Sequence, residues 1–521
     1  MKYELQFRFK FREKLPTEAK EKIDGWIEEF HQILEKGIQE EDRKKISKIT
    51  SWSIVSPNKD ETDLAMTIKS GRVLPPHHAL LRMRKFFAQK MGRNFRIGLA
   101  GIEFDSYEIQ VDIPHKPREP FSLPFVKSII FSEKKAELVL EKDIPIDFIE
   151  KGAIDRIVRL VQDKIKEEAI RGKDEHHLVI WSSDQKTPIV QENPTDLLIE
   201  GGWIERTSYR NQWIFAPPIT AFAEALKRMM VEKIYEPLGF KNMMFPKLVS
   251  WEVWKRSSHL SGIYQGGFEP YFISPPKTAD PKFWEEIADY YRITLEIQPE
   301  KIKEKLRPPI GGLSFAQCPP FWEYLQGKTI SDDSFPILVY DWSGPTYRYE
   351  SGSAHGFERV DELHRIETLY IGFPDQLKEI AQKLRTAFRQ LLGETLDLEF
   401  REAWVTPWWT GPTEREERPR PAIDSFDQIG TIDMEVYLPY KGKRETSEWL
   451  ETQNLSILGK KYPEGFTVKA QSGKELWSGC GGGSFERYVS AFVAQKGINP
   501  NDWPKSVVKY IDRLPEGPTF L

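Results

Sequence analysis

The sequence predicts an α+β protein of two domains, on three observations. The chain has 521 residues, 39% hydrophobic and 30% charged, which is enough to bury two or more cores. Its first third alternates strands of period two with helices of period 3.6, the pattern of an antiparallel sheet with helices. A polar stretch with prolines begins after Arg171. We therefore divide the chain into domains 1–172 and 173–521.

Composition excludes several classes of protein. No segment approaches the roughly 18 consecutive apolar residues of a membrane span, and the 12% aromatic content argues against general disorder. The first residues alternate charge with aromatics and lack a continuous apolar segment, so we expect no targeting peptide and a cytoplasmic location. A net charge of −4 argues against a polycationic coat protein, but a local basic patch can still bind nucleic acid.

The first domain has the element order of an antiparallel α+β module. Periodicity predicts, in order, strand 3–11, helix 16–38, strands 46–56 and 63–71, a basic helix 77–95, strands 96–113 and 126–143, and an amphipathic helix 146–170.

The basic helix carries a long run of one sign of charge. No acidic residue occurs between Asp63 and Glu103. A solvated helix face is the ordinary explanation of a charge run, but the length and single sign of this one favour contacts with phosphates. The predicted contact residues are Arg82, Arg84, Lys85, Arg93 and Arg96.

The second domain alternates amphipathic helices with strand-like segments. Helices are predicted at 219–240 and 373–393, and strands at 335–342, 396–406 and 430–440. Residues 277–307 predict a helical insertion. A DNA-reading helix-turn-helix is one interpretation, but the Pro-bounded position inside a larger domain favours a packing element.

Two patterns in this domain gather charged residues that could share a pocket. Arg348 and Glu350, in TYRYESG, are two apart on a predicted strand and would point to one side. After a Gly-containing loop, Arg359, Arg365 and Glu367 follow on a second predicted extended segment. Taken alone, each pattern could be an ordinary surface ion pair.

A third pattern, SGCGGGSFER, is a glycine-rich segment leading into a helix that carries Glu486 and Arg487. It has neither the Lys and spacing of a P-loop nor the pattern of a Rossmann turn, which excludes a P-loop.

In this order the patterns resemble a class II aminoacyl-tRNA synthetase. KIYEPLGFKNMMFP, with Pro246, resembles its motif one, TYRYESG through HRIE its motif two, and GCGGGSFER its motif three. RVDELHRIE and DMEVYLPYKGKRETSEWLETQNLSI are similar to segments of seryl-tRNA synthetases. The resemblance covers roughly residues 200–521.

Two departures from the ordinary seryl enzymes point to a subtype. AQCPPFW stands where their Thr-x-Glu serine-binding loop would fall, and the N-terminal part lacks their long heptad hairpin. With Cys318, Glu367 and Cys480, these features resemble the atypical seryl-tRNA synthetases of methanogenic archaea. That resemblance implies a tRNA-binding N-terminal α+β domain, a catalytic antiparallel sheet flanked by helices, and the homodimer common to class II enzymes.

The resemblance also implies roles for individual residues. Serine would be activated with ATP to seryl-adenylate and transferred to tRNASer. One zinc ion per chain, held by Cys318, Glu367 and Cys480, would bind the serine amino group. The residues implied at the ATP and catalytic site are Arg348 at the α-phosphate, Arg487 at the γ-phosphate, Glu350 at the adenine amino group, Leu363 packing on adenine, Glu451 and Asn454 holding magnesium, and Arg359 as a further catalytic residue.

Some alternatives stay open at the level of sequence. The two cysteines, Cys318 and Cys480, could be buried free thiols or a lone disulfide bridge instead of metal ligands. Two thiolates and one carboxylate, however, would leave an open tetrahedral position on zinc. The Trp- and Pro-rich segment 404–421 predicts a loop over the pocket or an ordinary surface loop.

A zinc-dependent ligase that loads a carrier protein is a rival function, and a catalytically silent RNA-binding paralogue is another. The basic helix favours tRNA over the first, and the retained motif residues argue against the second.

Overall fold

The computed structural model divides into two units, Met1–Lys173 and Asp174–Leu521. It describes residues 1–56, 62–71, 73–117, 120–170, 177–261, 268–350, 356–405, 425–511 and 513–518, without the side chains of residues 44, 166–170, 261, 268, 269 and 350. Among these described residues, no helix is both long and apolar enough to cross a membrane.

The first unit is a six-stranded sheet with helices on one face. Its strands pair in the order β2-β3-β1-β4-β6-β5, and all pairs are antiparallel. The strands are β1 Lys2–Phe11, β2 Lys48–Val55, β3 Asp63–Ser70, β4 Leu99–Asp112, β5 Val126–Phe131 and β6 Lys135–Leu140, and the helices are Thr17–Glu35, Pro76–Phe95, Ile146–Glu150 and Ala153–Ile170, with a 3-10 turn at Glu40–Lys45.

Alternation along β1 decides which face is covered. Leu5, Phe7 and Phe9 are buried, whereas the side chains between them are more exposed. Because strand side chains alternate between faces, the buried set forms one apolar surface. The helices lay their apolar faces on it, including Phe30 of the first helix and Met83 of the basic helix. The predicted antiparallel α+β module is confirmed.

The second unit is built on a nine-stranded sheet. Eight strands pair in the order β10-β16-β19-β24-β22-β21-β20-β7. The ninth strand, β17, also pairs with β19, next to the segment of β19 that pairs with β16. All pairs are antiparallel except β10 with β16. These strands are β7 His177–Ser182, β10 Lys241–Asn242, β16 Ile337–Asp341, β17 Pro345–Tyr347, β19 Glu362–Gly372, β20 Phe400–Val405, β21 Gly430–Tyr437, β22 Trp449–Gly459 and β24 Trp477–Ser484.

Smaller sheets and helices complete the second unit. The remaining strands are β8 Ile204–Arg206, β9 Trp213–Phe215, β11 Leu248–Ser250, β12 Phe268–Glu269, β13 Phe272–Ile273, β14 Gly311–Leu313, β15 Thr329–Ile330, β18 Tyr349–Glu350 and β23 Lys469–Ala470. The helices are Pro194–Glu200, Pro217–Met230 with a wider turn to Tyr235, Trp251–Arg256, Lys282–Thr294, Pro299–Glu304, Cys318–Leu325, Pro374–Gln390 with a wider turn to Thr395, Lys461–Gly465, Phe485–Lys496 and Lys505–Val508.

The two faces of the nine-stranded sheet have different neighbours. Ile366 and Tyr370 of β19 belong to the core formed with helices Pro217–Met230, Pro374–Gln390 and Phe485–Lys496. Leu369, on the alternate face of the same strand, belongs to a second core with helix Cys318–Leu325. A polar site on that second face is therefore walled by elements from outside the sheet.

Residues 277–307 form a compact insertion. Its helices Lys282–Thr294 and Pro299–Glu304 bury no residue. The ends are joined, because Lys277 N donates to Lys305 O at 3.0 Å and Arg307 N donates to Pro275 O at 2.8 Å. The insertion therefore begins and ends at one place on the unit.

Close packing explains a glycine of β24. A Cβ on Gly479 would lie 2.1 Å from the Tyr370 ring and 2.8 Å from Ser456 O. Protein interiors have crystal-like density, so these neighbours have little room to withdraw. Glycine is required there by space.

We therefore expect Gly479→Ala to lower the free energy of unfolding by about 1–3 kcal/mol, the usual cost of overpacking. Thermal unfolding followed by circular dichroism measures the effect. Gly101→Ala, in strand β4, is the matched control because nothing lies within 4 Å of its added Cβ. Equal unfolding temperatures for the two variants would contradict this explanation.

Candidate active site

Cross-strand register places the site residues on one face of the nine-stranded sheet. Glu367 of β19 lies opposite Gly482 of β24, and Leu369 lies opposite Cys480. Residues directly opposite in an antiparallel pair point to the same face. Glu367 and Cys480 therefore share one face, although 113 positions separate them in the sequence.

Cys318 reaches this face from outside the sheet. It is the first residue of helix Cys318–Leu325, and Pro319 and Pro320 occupy the first turn, where their lack of an N–H costs nothing. The preceding Gln317 donates from Nε2 to Asp341 Oδ2 at 3.2 Å and to Gly344 O at 3.2 Å. Because Asp341 lies opposite Glu367, this amide fixes the start of the helix beside the carboxylate.

Cys318, Glu367 and Cys480 form a buried cluster whose ligand atoms all lie within 4.8 Å of one another. Burial, and to a smaller extent Asp341, raises the pKa of Glu367 to about 7, although Arg365 opposes the rise. The neighbouring Cys318 thiol and burial together raise the pKa of the Cys480 thiol well above its ordinary value. Three adjacent acidic groups in a dry site disfavour three negative charges.

A divalent cation removes this electrostatic conflict, so the cluster fits a metal. Two sulfur ligands and one carboxylate are a donor set that zinc accepts, and three protein ligands are typical of zinc sites that keep one position open. Binding would require loss of the thiol protons and would therefore be linked to proton release.

Arg365 supports the carboxylate of the cluster. Its Nη2 lies 2.6 Å from Glu367 Oε2, and both side chains are almost fully buried. A Cβ on Gly482 would lie 1.5 Å from Arg365 Nη2. The glycine of the predicted third motif therefore leaves space for the guanidinium.

A β-bulge creates a second group of oxygen atoms on the same face. The β21–β22 register shifts between Met434 and Glu435, so Glu451 and Asn454, three apart, point to one side. Asn454 Nδ2 donates to Glu451 Oε1 at 3.1 Å, and Gly482 N donates to Asn454 Oδ1 at 3.1 Å.

This group also fits a cation. Burial alone would raise the pKa of Glu451, but Arg487 and Asn454 outweigh it and lower the pKa below its ordinary value. Burial, followed by Glu451, raises the pKa of nearby Asp433 well above its ordinary value. Carboxylate and amide oxygens are ligands that magnesium accepts, and an amide oxygen keeps a second lone pair when it accepts one hydrogen bond.

Arg487 is held at this group by the start of its helix. Ser484 caps helix Phe485–Lys496 by accepting from Arg487 N at 3.4 Å. Arg487 Nη1 then lies 2.9 Å from Glu451 Oε2. Its neighbour Glu486 turns the other way and accepts from His364 N at 2.9 Å. In the Glu-Arg pair, one residue braces β19 and the other reaches the site face.

Two sequence-based placements in the second motif are wrong. Arg348 lies between β17 and β18 and not inside one strand, because these strands pair with β19 and β12 respectively. Its N–H donates to Asp361 O at 2.8 Å, and its Nε donates to Phe315 O at 3.1 Å. Arg359 does not lie on an extended segment but in the bend before β19. There its Nη2 pairs with Glu448 Oε1 at 3.0 Å.

Of the remaining predicted site residues, the structure describes the side chain of Leu363 but not that of Glu350. Leu363 is 6% exposed and shares its face of β19 with Arg365 and Glu367. Glu350 ends β18, but its side chain lies outside the described part of the chain, as do residues 406–424 of the Trp- and Pro-rich segment.

Several residues that position the site carry no signal in the sequence. Gln317 and Asp341 are adjacent only in three dimensions. The sequence shows the charge of Arg365 but not its ion pair with Glu367. The bulge left one usable signal, because Glu451 and Asn454 are both polar yet three apart on a strand that should alternate by two.

The basic helix of the first unit carries a stripe of exposed basic side chains on one face. Arg82, Lys85 and Arg93 are exposed and share one face at spacings of three and eight. Arg96 is exposed at the end of the helix. Arg84 differs from them, because it lies nearer the buried face and its Nη1 is 2.8 Å from Glu150 Oε1.

Comparisons with known proteins cover both units. Residues 1–163 match a family described as a tRNA-binding domain. The type-2 serine–tRNA ligase of Methanococcoides burtonii is 42% identical over 97% of each chain, and that of Methanothrix thermoacetophila is 41% identical over 91% of each.

Among solved structures, M. kandleri SerRS, crystallised in complex with A. aeolicus tRNASec, is similar over 100% of this chain and 99% of its own, with 29% identity and a TM-score of 0.79. The 41–42% identity to the two serine–tRNA ligases over 91–97% of the chain, together with the class II arrangement of sheet, helices and motifs, establishes the family. The chain belongs to the type-2 serine–tRNA ligases, which are class II aminoacyl-tRNA synthetases.

Proposed function

We propose that the chain activates serine with ATP and transfers the seryl group to tRNASer. In the first step a serine carboxylate oxygen attacks the α-phosphorus of ATP, the bond to the bridging oxygen breaks, and pyrophosphate leaves. In the second step a terminal tRNA hydroxyl attacks the seryl carbonyl carbon and AMP leaves. The observation that carries the proposal is the buried Cys318–Glu367–Cys480 cluster on the same sheet face as Arg487 and Glu451.

The proposed ATP site depends on cations held in place before the reaction. Charge increases on phosphate oxygens as the α-phosphorus is attacked, and prepositioned charges stabilise it best. We assign Arg348 to the α-phosphate and Arg487 to the γ-phosphate. Glu451 and Asn454 would hold magnesium, Leu363 would pack against adenine, and Glu350 would bind its amino group.

The proposed serine site depends on the cluster of two cysteines and a glutamate. Zinc bound there would supply an open position for the neutral serine amino group. The residues of the chain do the rest: Gln317 and Asp341 fix Cys318, and Arg365 balances the charge of Glu367. We also propose Arg359, in the bend before β19, as a catalytic residue.

The proposed tRNA partner is supported by the first unit. Its match to a tRNA-binding domain and its exposed basic stripe favour tRNA over a carrier protein. A homodimer, expected of class II enzymes, is part of the same proposal.

The zinc assignment predicts about one zinc ion per chain and loss of activity without it. Cys480→Ala should abolish serine-dependent ATP–pyrophosphate exchange, because losing a ligand costs more affinity than the roughly 10- to 100-fold of changes around ligands. Elemental analysis and the exchange assay measure the two effects.

The matched control is Ser478→Ala, two residues away on the same face of β24. It loses one buried hydrogen bond, from Ser478 Oγ to Gly459 O, but no proposed ligand. Full exchange activity in a zinc-free preparation of the wild-type chain would refute the assignment.

The tRNA assignment predicts that the two units can be impaired separately. Replacing Arg82, Lys85 and Arg93 with Ala should weaken tRNA charging and leave pyrophosphate exchange nearly unchanged. Each lost phosphate contact should reduce the log–log salt slope of tRNA binding by roughly one unit or less. Arg348→Ala should do the opposite and impair exchange while tRNA still binds.

A second triple variant separates contact from net charge. Replacing Lys14, Lys20 and Lys36, which are exposed elsewhere in the first unit, removes the same charge outside the stripe. Equal loss of charging in both triple variants would show that only overall charge matters. Normal charging by the stripe variant at physiological salt would refute the tRNA assignment.

A further inference from the structure

A buried hydroxyl lies against one sulfur atom of the proposed metal cluster. Tyr462, the second residue of helix Lys461–Gly465, places its hydroxyl 3.6 Å from Cys318 Sγ. The side chain is 1% exposed. It stacks on the Trp322 ring, with centroids 5.0 Å apart and an angle of 16° between the planes. The hydroxyl is therefore held by packing and points at the sulfur without access to bulk water.

Behind the hydroxyl lies a buried histidine. His259 Nε2 is 3.3 Å from the Tyr462 hydroxyl, and its ring lies nearly parallel to the Tyr462 ring. Burial, with smaller effects of Lys461 and Arg348, lowers the pKa of His259 to about 3, so the imidazole is neutral at physiological pH. No described residue forms a hydrogen bond with His259 Nδ1.

The number of protons on each group decides which one donates in these two hydrogen bonds. A neutral imidazole carries one N–H, and a hydroxyl carries one proton. A metal-bound thiolate has no proton and can only accept a hydrogen bond. Tyr462 must then donate to Cys318 Sγ, and its oxygen can accept from His259 Nε2–H. This tautomer leaves Nδ1 as a lone pair, and an acceptor without a partner is less rare in proteins than a buried N–H without one.

Donation of a hydrogen bond to Cys318 is favourable because the metal cluster carries a net negative charge. Two thiolates, one carboxylate and a divalent ion sum to −1 in a buried site, where charge without compensation is costly. Arg365 offsets charge on Glu367, with Nη2 at 2.6 Å from Oε2. The hydroxyl of Tyr462 is the corresponding donor for Cys318.

We propose that Tyr462, oriented by His259, is a positioning residue of the metal site that donates a hydrogen bond to the Cys318 thiolate and so retains the metal and sets the donor strength of the sulfur. This inference rests on the proposed zinc site and adds to it two residues that do not themselves bind the metal. Partners of this kind around metal ligands typically contribute 10- to 100-fold in affinity.

The test measures metal retention in the full chain, independently of activity. Tyr462→Phe keeps the ring that stacks on Trp322 and removes only the hydroxyl. We expect zinc transfer to a chromogenic chelator to become about 10- to 100-fold faster or more complete than in the wild-type chain. In the cobalt-substituted protein, the sulfur-to-metal charge-transfer band should move to longer wavelength, because a thiolate without a donor gives up its electrons more easily.

Two further variants test the orienting role of His259. His259→Leu removes the N–H and should shift zinc retention and the charge-transfer band in the same direction as Tyr462→Phe. His259→Gln keeps an N–H donor and should restore much of the wild-type behaviour. If His259 had a purely structural role, both variants would lower the free energy of unfolding and leave the cobalt spectrum unchanged.

Tyr488→Phe is the matched control, since it also removes one buried tyrosine hydroxyl, which donates to Gln453 Oε1 at 3.2 Å. It should leave zinc transfer and the cobalt spectrum unchanged. A wild-type chain that binds zinc, with Tyr462→Phe retaining it equally well and with the same spectrum, would overturn this inference alone. A wild-type chain that binds no zinc would overturn the proposed zinc site and this inference with it.

Discussion

The register between β19 and β24 is the constraint on which the whole site depends. It sets Glu367 against Gly482 and Leu369 against Cys480, so that one face of the sheet holds both strand-borne ligands. A slip of one residue in either strand would turn its ligand into the helix-packed core, because strand side chains alternate. The apolar residues of the opposite face, such as Ile366 and Tyr370, therefore secure the polar site by fixing the register.

Much of this arrangement could be predicted from the sequence, and the reasons are physical. The α+β order of the first unit follows from the alternation of residues such as Leu5, Phe7 and Phe9, which the structure buries. The glycines beside Cys480 and the Glu486–Arg487 pair were visible as motifs of known geometry. Patterns that one strand or one helix generates alone are readable without a structure.

What could not be predicted depends on contacts between distant segments or on breaks in periodicity. The sequence predicts Arg348 inside one strand, but the strands on either side of it have different partners, because β17 pairs with β19 and β18 pairs with β12. The shared face of Glu451 and Asn454 needs a bulge that pairing with β21 creates. The sequence groups Arg84 with the predicted phosphate contacts, and its ion pair with Glu150 is not foreseen because that residue lies 66 positions away in the sequence.

The joined ends of residues 277–307 have a consequence for how this family can change. Because Lys277 bonds to Lys305 and Arg307 to Pro275, the segment leaves and re-enters the unit at the same point. Its helices bury no residue, so its length and composition can drift without altering any strand pairing or core contact. The insertion can therefore be lengthened, shortened or replaced during evolution. The strands that carry the ligands cannot, because an insertion or deletion in them would change the register.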